Sequence, residues 1–110
     1  MLNTLYDAYR VLFKVYSEGA FIKQALNDTD IEESNRSHTT KLCYGVLDKD
    51  VELSYYISAL CGKNPKQAIR IILKESFYEI KYLKTAPYAV GDAAFPLALP
   101  LVLIGGRRDA

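Results

Sequence analysis

Apolar residues recur at intervals of three and four along most of this chain, whereas strict alternation of apolar and polar residues is scarce. Such spacing places apolar side chains along one face of a helix. The first series predicts a helix over residues 2–17 and consists of Leu5, Tyr9, Leu12, Phe13 and Tyr16. With 110 residues, half of them hydrophobic, the chain is long enough for one domain with its own core. The sequence therefore predicts an all-α domain.

Glycines and polar segments divide the chain into separate helices. Gly19 marks the end of the first helix or a bend in it, and a short second helix follows. Residues 27–35 are polar and acidic, which predicts a loop, and the charged segment 48–50 is expected to interrupt the pattern after the third helix. A fourth helix follows that interruption.

The strongest boundary signal is the sequence Gly-Lys-Asn-Pro that begins at Gly62. Gly62 suits a helix C-terminus, while Asn64 and Pro65 suit the N-cap and first position of the next helix. This predicts a long helix over residues 65–83. Pro87 is expected to start a further helix in the same way.

The residue types that carry catalysis are sparse. His38 is the only histidine, and no cysteine or carboxylate stands at metal-ligand spacing from it, so the sequence predicts a structural or surface histidine and no metal site. No glycine-rich phosphate loop and no nucleophile elbow occur. Cys43 and Cys61 are predicted to be buried free thiols. We therefore expect no catalytic residue, no cofactor and no enzyme activity in this chain.

The overall charge is close to neutral. Fourteen basic and 13 acidic residues give a net charge of +1, so nucleic-acid binding would require local clusters of cations. No stretch of about 20 apolar residues occurs, no signal peptide is recognisable, and two cysteines fit a reducing compartment. These features predict a cytoplasmic protein without a membrane-spanning helix.

The predicted helix 65–83 separates apolar from basic residues. At about 100° per residue, Arg70, Lys74 and Lys81 fall close together, and we call them the basic stripe. The arc expected to face the core contains Ile69, Ile72, Leu73, Ser76, Phe77, Ile80 and Leu83.

A second set of cations consists of Arg10, Lys14 and Lys23, together with Arg36 and Lys41 on the third helix. Cations spaced along a surface suit phosphates. For both sets a solvated charged face is the default interpretation from the sequence alone, and phosphate binding is the alternative.

Several segments, in this order, resemble the NusB-type RNA-binding domain. Residues 42–47 read Leu-Cys-Tyr-Gly-Val-Leu, similar to a leucine-valine-tyrosine-glycine-valine-leucine segment of the version that precedes ribosomal RNA cytosine-5 methyltransferases of the RsmB (Sun) group. Residues 8–12 and 19–21 resemble the opening two helices of that version, and residues 71–80 resemble its long buried helix. Glu75 departs from the pattern, because the family usually has an apolar residue there.

The resemblance implies a NusB-like helical bundle that binds RNA without catalysis. The first expectation is an accessory domain that positions ribosomal RNA for a methyltransferase domain, and the candidate RNA contacts are Arg10, Lys14, Arg36, Lys41, Arg70 and Lys74. The alternatives are a free-standing transcription antitermination factor that binds nascent RNA and a ribosomal protein, and a protein-interaction module that does not bind RNA. The antitermination alternative is weakened because free-standing NusB has an arginine-rich N-terminus that contributes to RNA binding, whereas this chain has only Arg10 there.

The end of the chain departs from the family. We predict a NusB-like domain over residues 1–92 and an atypical apolar tail over 93–110, in which Pro96 and Pro100 would break a helix. The bundle is therefore expected to be incomplete at the C-terminus, through truncation or a change of reading frame. Its uncovered apolar surface predicts self-association into a homo-oligomer.

Overall fold

The computed structural model describes residues 2–62 and 64–109, with side chains over 4–62 and 64–101. In these residues the chain forms helices and no strands. The helices are α1 (Leu2–Glu18), α2 (Ile22–Asp28), α3 (Glu33–Asp48), α4 (Asp50–Cys61), α5 (Gln67–Lys81) and α6 (Pro87–Asp109). None of the described helices is both long enough and apolar enough to cross a membrane.

Helix α5 lies at the centre of the bundle. It packs against α1, α3, α4 and α6, while α1 also contacts α2, α3 and α6. The core between these helices is formed by apolar side chains that are at most 8% exposed: Leu5, Ala8, Val11, Leu12, Ala25, Leu26, Ile31, Leu42, Cys43, Val46, Leu53, Ile71 and Ala93. The apolar stripe predicted on α1 is therefore a core stripe.

The glycine boundaries are confirmed. Gly19 and Gly62 follow α1 and α4 with φ angles of +74° and +71°, a left-handed conformation that costs glycine little. The break predicted within residues 48–50 occurs at Lys49, between α3 and α4. Helix α6 begins at Pro87, as predicted.

Two boundary predictions were wrong. Helix α5 begins at Gln67 with Lys66 as its N-cap residue, so Asn64 and Pro65 belong to the preceding connection. The acidic loop is shorter than the predicted 27–35, because α2 runs to Asp28 and α3 begins at Glu33. Local signals placed these helices correctly but not their first turns.

The expectation that prolines would break the last helix was also wrong, because α6 contains both Pro96 and Pro100. Both prolines are exposed, so carbonyl groups that lose an amide partner can be hydrated on the solvent side. On the opposite side Ala93 is 5% exposed and Leu97 packs against the core. The helix thus passes residue 92 without interruption.

The face of α5 that is most deeply buried differs from the predicted arc. Ile69, Leu73, Phe77 and Ile80 are only half-buried. The buried residues of α5 are Ile71, Ile72, Lys74, Glu75, Ser76 and Glu79. Because helices surround α5 on several sides, three charged side chains are enclosed with the apolar ones.

Helix α3 packs tightly against the Tyr78 side chain of α5 at Gly45. A Cβ atom at this position would overlap the Tyr78 ring, coming within 2.6 Å of its Cε2 atom. We expect Gly45→Ala to lower the free energy of unfolding by about 1 kcal/mol, through displacement of the Tyr78 ring. Urea unfolding followed by circular dichroism measures this change.

Gly91→Ala is the matched control, because a Cβ atom on Gly91 in α6 meets no atom within 4 Å. It should raise stability by about 0.5–1 kcal/mol through higher helix propensity. Equal effects of the two substitutions would contradict close packing at Gly45.

Candidate nucleic-acid interface

Lys74 of the basic stripe is not available to a phosphate. Its side chain is 4% exposed, and its Nζ lies 2.7 Å from Asp50 Oδ1 and 4.2 Å from the centre of the Tyr16 ring. The Tyr16 hydroxyl donates a hydrogen bond of 2.5 Å to the same Asp50 oxygen. The prediction of Lys74 as a surface cation was therefore wrong, because Asp50 and Tyr16 from two other helices enclose it.

The rest of the stripe is not continuous either. Lys81 is exposed but binds Glu52 and the Tyr56 hydroxyl. Arg70 is half-buried and contacts Asn64 Oδ1 at 3.2 Å and Ser54 Oγ at 3.4 Å. The positive charge of Arg70 also acts on the Asp50 carboxyl group, so it is partly engaged within the bundle.

Arg10 and Lys14 share a face of α1 but are engaged by the α2–α3 loop. Arg10 contacts Asp7 Oδ1 and the Asp30 carbonyl oxygen, both at 2.7 Å. Lys14 Nζ lies 2.9 Å from Thr29 Oγ1 and 3.2 Å from the Asp28 carbonyl oxygen.

The surroundings of Arg10 are acidic. The cavity of about 290 Å³ beside it is lined by Asp7, Asp30, Glu32 and Asn35. Three carboxyl groups around one guanidinium disfavour a phosphate. Arg10 and Lys14 therefore fasten the loop to α1, and their role in RNA binding stays a prediction.

Arg36 and Lys41 differ from Arg10 and Lys14 in having no side-chain partner among the described residues. Arg36 is half-buried and Lys41 is exposed. Within the described part of the chain neither side chain has an ion-pair or hydrogen-bond partner. Of the six candidate contacts, Arg36 and Lys41 therefore keep their charge most available to an external anion.

The exposed face of α3 places aromatic rings beside Lys41. Tyr44 lies one turn after Lys41 and is 46% exposed, while the His38 side chain lies one turn before it and is 45% exposed. At about 100° per residue, each ring lies about 60° from Lys41 around the helix axis. We call His38, Lys41 and Tyr44 the α3 platform.

Tyr44 was not among the candidate residues. Tyr44 is one of four tyrosines with exposed side chains in the described residues, together with Tyr6, Tyr55 and Tyr88. The sequence signal for Tyr44 was its place three residues after Lys41, which puts both on one helix face.

His38 is held by the buried interior, in agreement with its predicted structural role. Its Nε2 lies 2.7 Å from Oε2 of Glu79, a carboxyl group with no exposed surface. The Thr85 hydroxyl donates to the other Glu79 oxygen at 2.7 Å. These contacts fix the imidazole ring at the edge of the α3 platform.

A second buried carboxyl group, Glu75, lies one turn before Glu79. It has no exposed surface, and neither of its oxygens has a partner in the described part of the chain. Burial, and then the negative charge of Glu79, raise the pKa of Glu75 well above its usual value.

The two cysteines differ. Cys43 is a buried free thiol as predicted, and burial followed by the charge of Glu75 raises its pKa. Cys61 is exposed, so the prediction of a buried thiol was wrong there. No group of three or more histidine, cysteine and carboxylate side chains suited to a metal occurs among the described residues.

Comparison with known families agrees with the helical fold. The family model named NusB matches residues 3–100 of the 110. This chain belongs to the NusB family. The all-α NusB-like fold predicted from sequence is thereby confirmed.

No curated protein and no solved structure matches the chain. The NusB match extends into α6 and includes Ala93 and Leu97, which pack in or against the core.

Proposed function

We propose that this chain is an RNA-binding domain that contributes no chemistry of its own. Its membership of the NusB family over residues 3–100 is the observation that carries the proposal, because domains of this family bind RNA. The local geometry is compatible, since Arg36 and Lys41 have no side-chain partner in the described residues and can attract phosphates, although the net charge is only +1.

For the whole protein, we propose an accessory role in ribosomal RNA cytosine-5 methylation. The support is the resemblance of residues 42–47 to the methyltransferase-linked version of the domain. The domain would hold ribosomal RNA while a separate S-adenosylmethionine-dependent domain performs the reaction. A coding sequence that continues into such a domain would support this role.

A free-standing antitermination factor is the second candidate, and it would bind nascent RNA together with a ribosomal protein. A gene that stops after this one domain would favour it. The same sequencing tests the tail hypothesis: a native reading frame through Ala110 would contradict a frame change after residue 92. Light scattering at high protein concentration tests self-association, which a monomer would contradict.

RNA binding should weaken as salt rises. In a fluorescence-anisotropy titration with single-stranded ribosomal RNA fragments, log K should fall linearly with log salt, by about 0.7 per phosphate contact. Arg36→Gln combined with Arg70→Gln should therefore reduce the slope by about 1.4. Lys23→Gln on α2 is the control, because Lys23 is exposed and lies outside the proposed contacts.

Absence of binding at low salt would contradict the proposal. The exposed apolar side chains Val51, Tyr55 and Leu60 of α4 would then favour a protein-interaction module. Binding to a protein partner that does not depend on salt would support that reading, since phosphate contacts always weaken with salt.

A further inference from the structure

We propose that the α3 platform binds unpaired RNA, with a base stacked on Tyr44 and the adjoining phosphate bound by Lys41. The inference rests on the proposed function and states where on the domain an RNA strand binds. Helix α3 was a candidate only for two cations, Arg36 and Lys41. The structure adds an aromatic surface on each side of Lys41.

The arrangement of the three side chains suits one strand. His38, Lys41 and Tyr44 are spaced three residues apart. Each step therefore advances about 4.5 Å along the helix axis and turns about 60° around it. A base stacks on a flat ring, and a phosphate needs a cation beside that ring. Ser37 is also exposed on this face, and its hydroxyl can bond a ribose 2′-OH or a phosphate oxygen.

The α3 platform is attached to the interior of the bundle at His38 and at Gly45, the residue that follows Tyr44. His38 is anchored through its Nε2 to the buried Glu79. Tyr44 precedes Gly45, whose backbone packs directly against the Tyr78 side chain of α5. Because the His38 ring is held in place before binding, it loses less conformational entropy on binding than an unrestrained ring would.

The charged residues on and beside the α3 platform favour an anionic partner of limited length. Lys41 has no ion-pair partner among the described side chains, so its charge is available. The exposed acids Glu33 and Asp48 lie at the two ends of α3. A duplex would present phosphates along a longer path and keep its bases inaccessible. A short anionic strand with exposed bases can lie between these two acidic residues. The ligand proposed for the platform is therefore single-stranded RNA.

The test uses substitutions on the platform and matched substitutions elsewhere. Tyr44→Leu removes the ring, and Tyr44→Phe keeps the ring but removes the hydroxyl. Tyr55→Leu is the aromatic control, because Tyr55 lies on α4 and is 68% exposed. Lys41→Gln is compared with Lys23→Gln. Circular dichroism establishes that each variant is folded, and anisotropy measures its affinity for a single-stranded RNA and for the duplex of the same sequence.

We expect Tyr44→Leu to weaken single-strand binding about tenfold, and Tyr44→Phe to bind as the unchanged chain does. Lys41→Gln should reduce the salt slope by about 0.7, whereas Tyr55→Leu and Lys23→Gln should have no effect. The unchanged chain should prefer the single strand to the duplex.

Two failures are distinguishable. If the unchanged chain binds no RNA at low salt, the proposed function fails and the platform with it. If the unchanged chain binds RNA but Tyr44→Leu and Lys41→Gln bind equally well, RNA binding stands and the platform is rejected. A preference for duplex would reject the platform as well.

Discussion

Replacing Glu75 with leucine should raise the free energy of unfolding by about 2 kcal/mol or more at pH 7. Glu75 has no exposed surface, and both of its oxygens lack partners in the described part of the chain. Leucine has a similar volume and needs no hydrogen bond. The substitution also restores the apolar residue that the NusB resemblance leads one to expect at this position.

The effect should depend on pH in a defined direction. In the unfolded chain Glu75 has the ordinary glutamate pKa of about 4.5, and in the folded chain its pKa is raised well above that value. Above pH 4.5 the folded state therefore binds more protons than the unfolded state. Its stability should fall as pH rises, by up to about 1.4 kcal/mol per pH unit until the folded pKa is reached.

Urea unfolding of the unchanged chain and Glu75→Leu at pH 5, 6, 7 and 8 measures this dependence. The difference in stability between the two proteins should grow with pH. Glu18→Gln is the control, because Glu18 is exposed, and it should keep the pH dependence of the unchanged chain. A constant difference between the unchanged chain and Glu75→Leu would show that Glu75 does not take up a proton on folding.

Local sequence signals were sufficient where the deciding interaction is local. Gly19 and Gly62 adopt positive φ angles and Pro87 begins α6, which follow from the conformational preferences of these residues alone. The tolerance of Pro96 and Pro100 was not predictable in the same way, because it depends on which side of α6 faces solvent.

Interactions between helices explain why the prediction of Lys74 as a surface cation was wrong. Lys74 looks like a surface cation on its own helix, but Asp50 of α4 and Tyr16 of α1 enclose it. Arg10 and Lys14 are likewise engaged by residues of the α2–α3 loop. Helical periodicity gives the angular position of a side chain, and only the packing of neighbouring helices determines whether that position is open.

Replacing His38 with alanine should lower the free energy of unfolding by about 1–3 kcal/mol. The imidazole Nε2 is 2.7 Å from Glu79 Oε2, and in the variant the buried Glu79 carboxyl group would retain the Thr85 hydroxyl as its remaining side-chain partner. A buried acceptor that loses its partner costs more than the net value of the hydrogen bond it made.

A double-mutant cycle separates this pairing from a general effect of removing the ring. Glu79→Gln alone should also destabilise, but His38→Ala combined with Glu79→Gln should cost less than the sum of the two single changes, because no charged carboxyl group remains unpaired. His38→Gln, which keeps a side-chain donor, should recover part of the loss. Additive single effects would mean that His38 and Glu79 are not coupled. The anchoring of the imidazole at the edge of the α3 platform would then have no energetic basis.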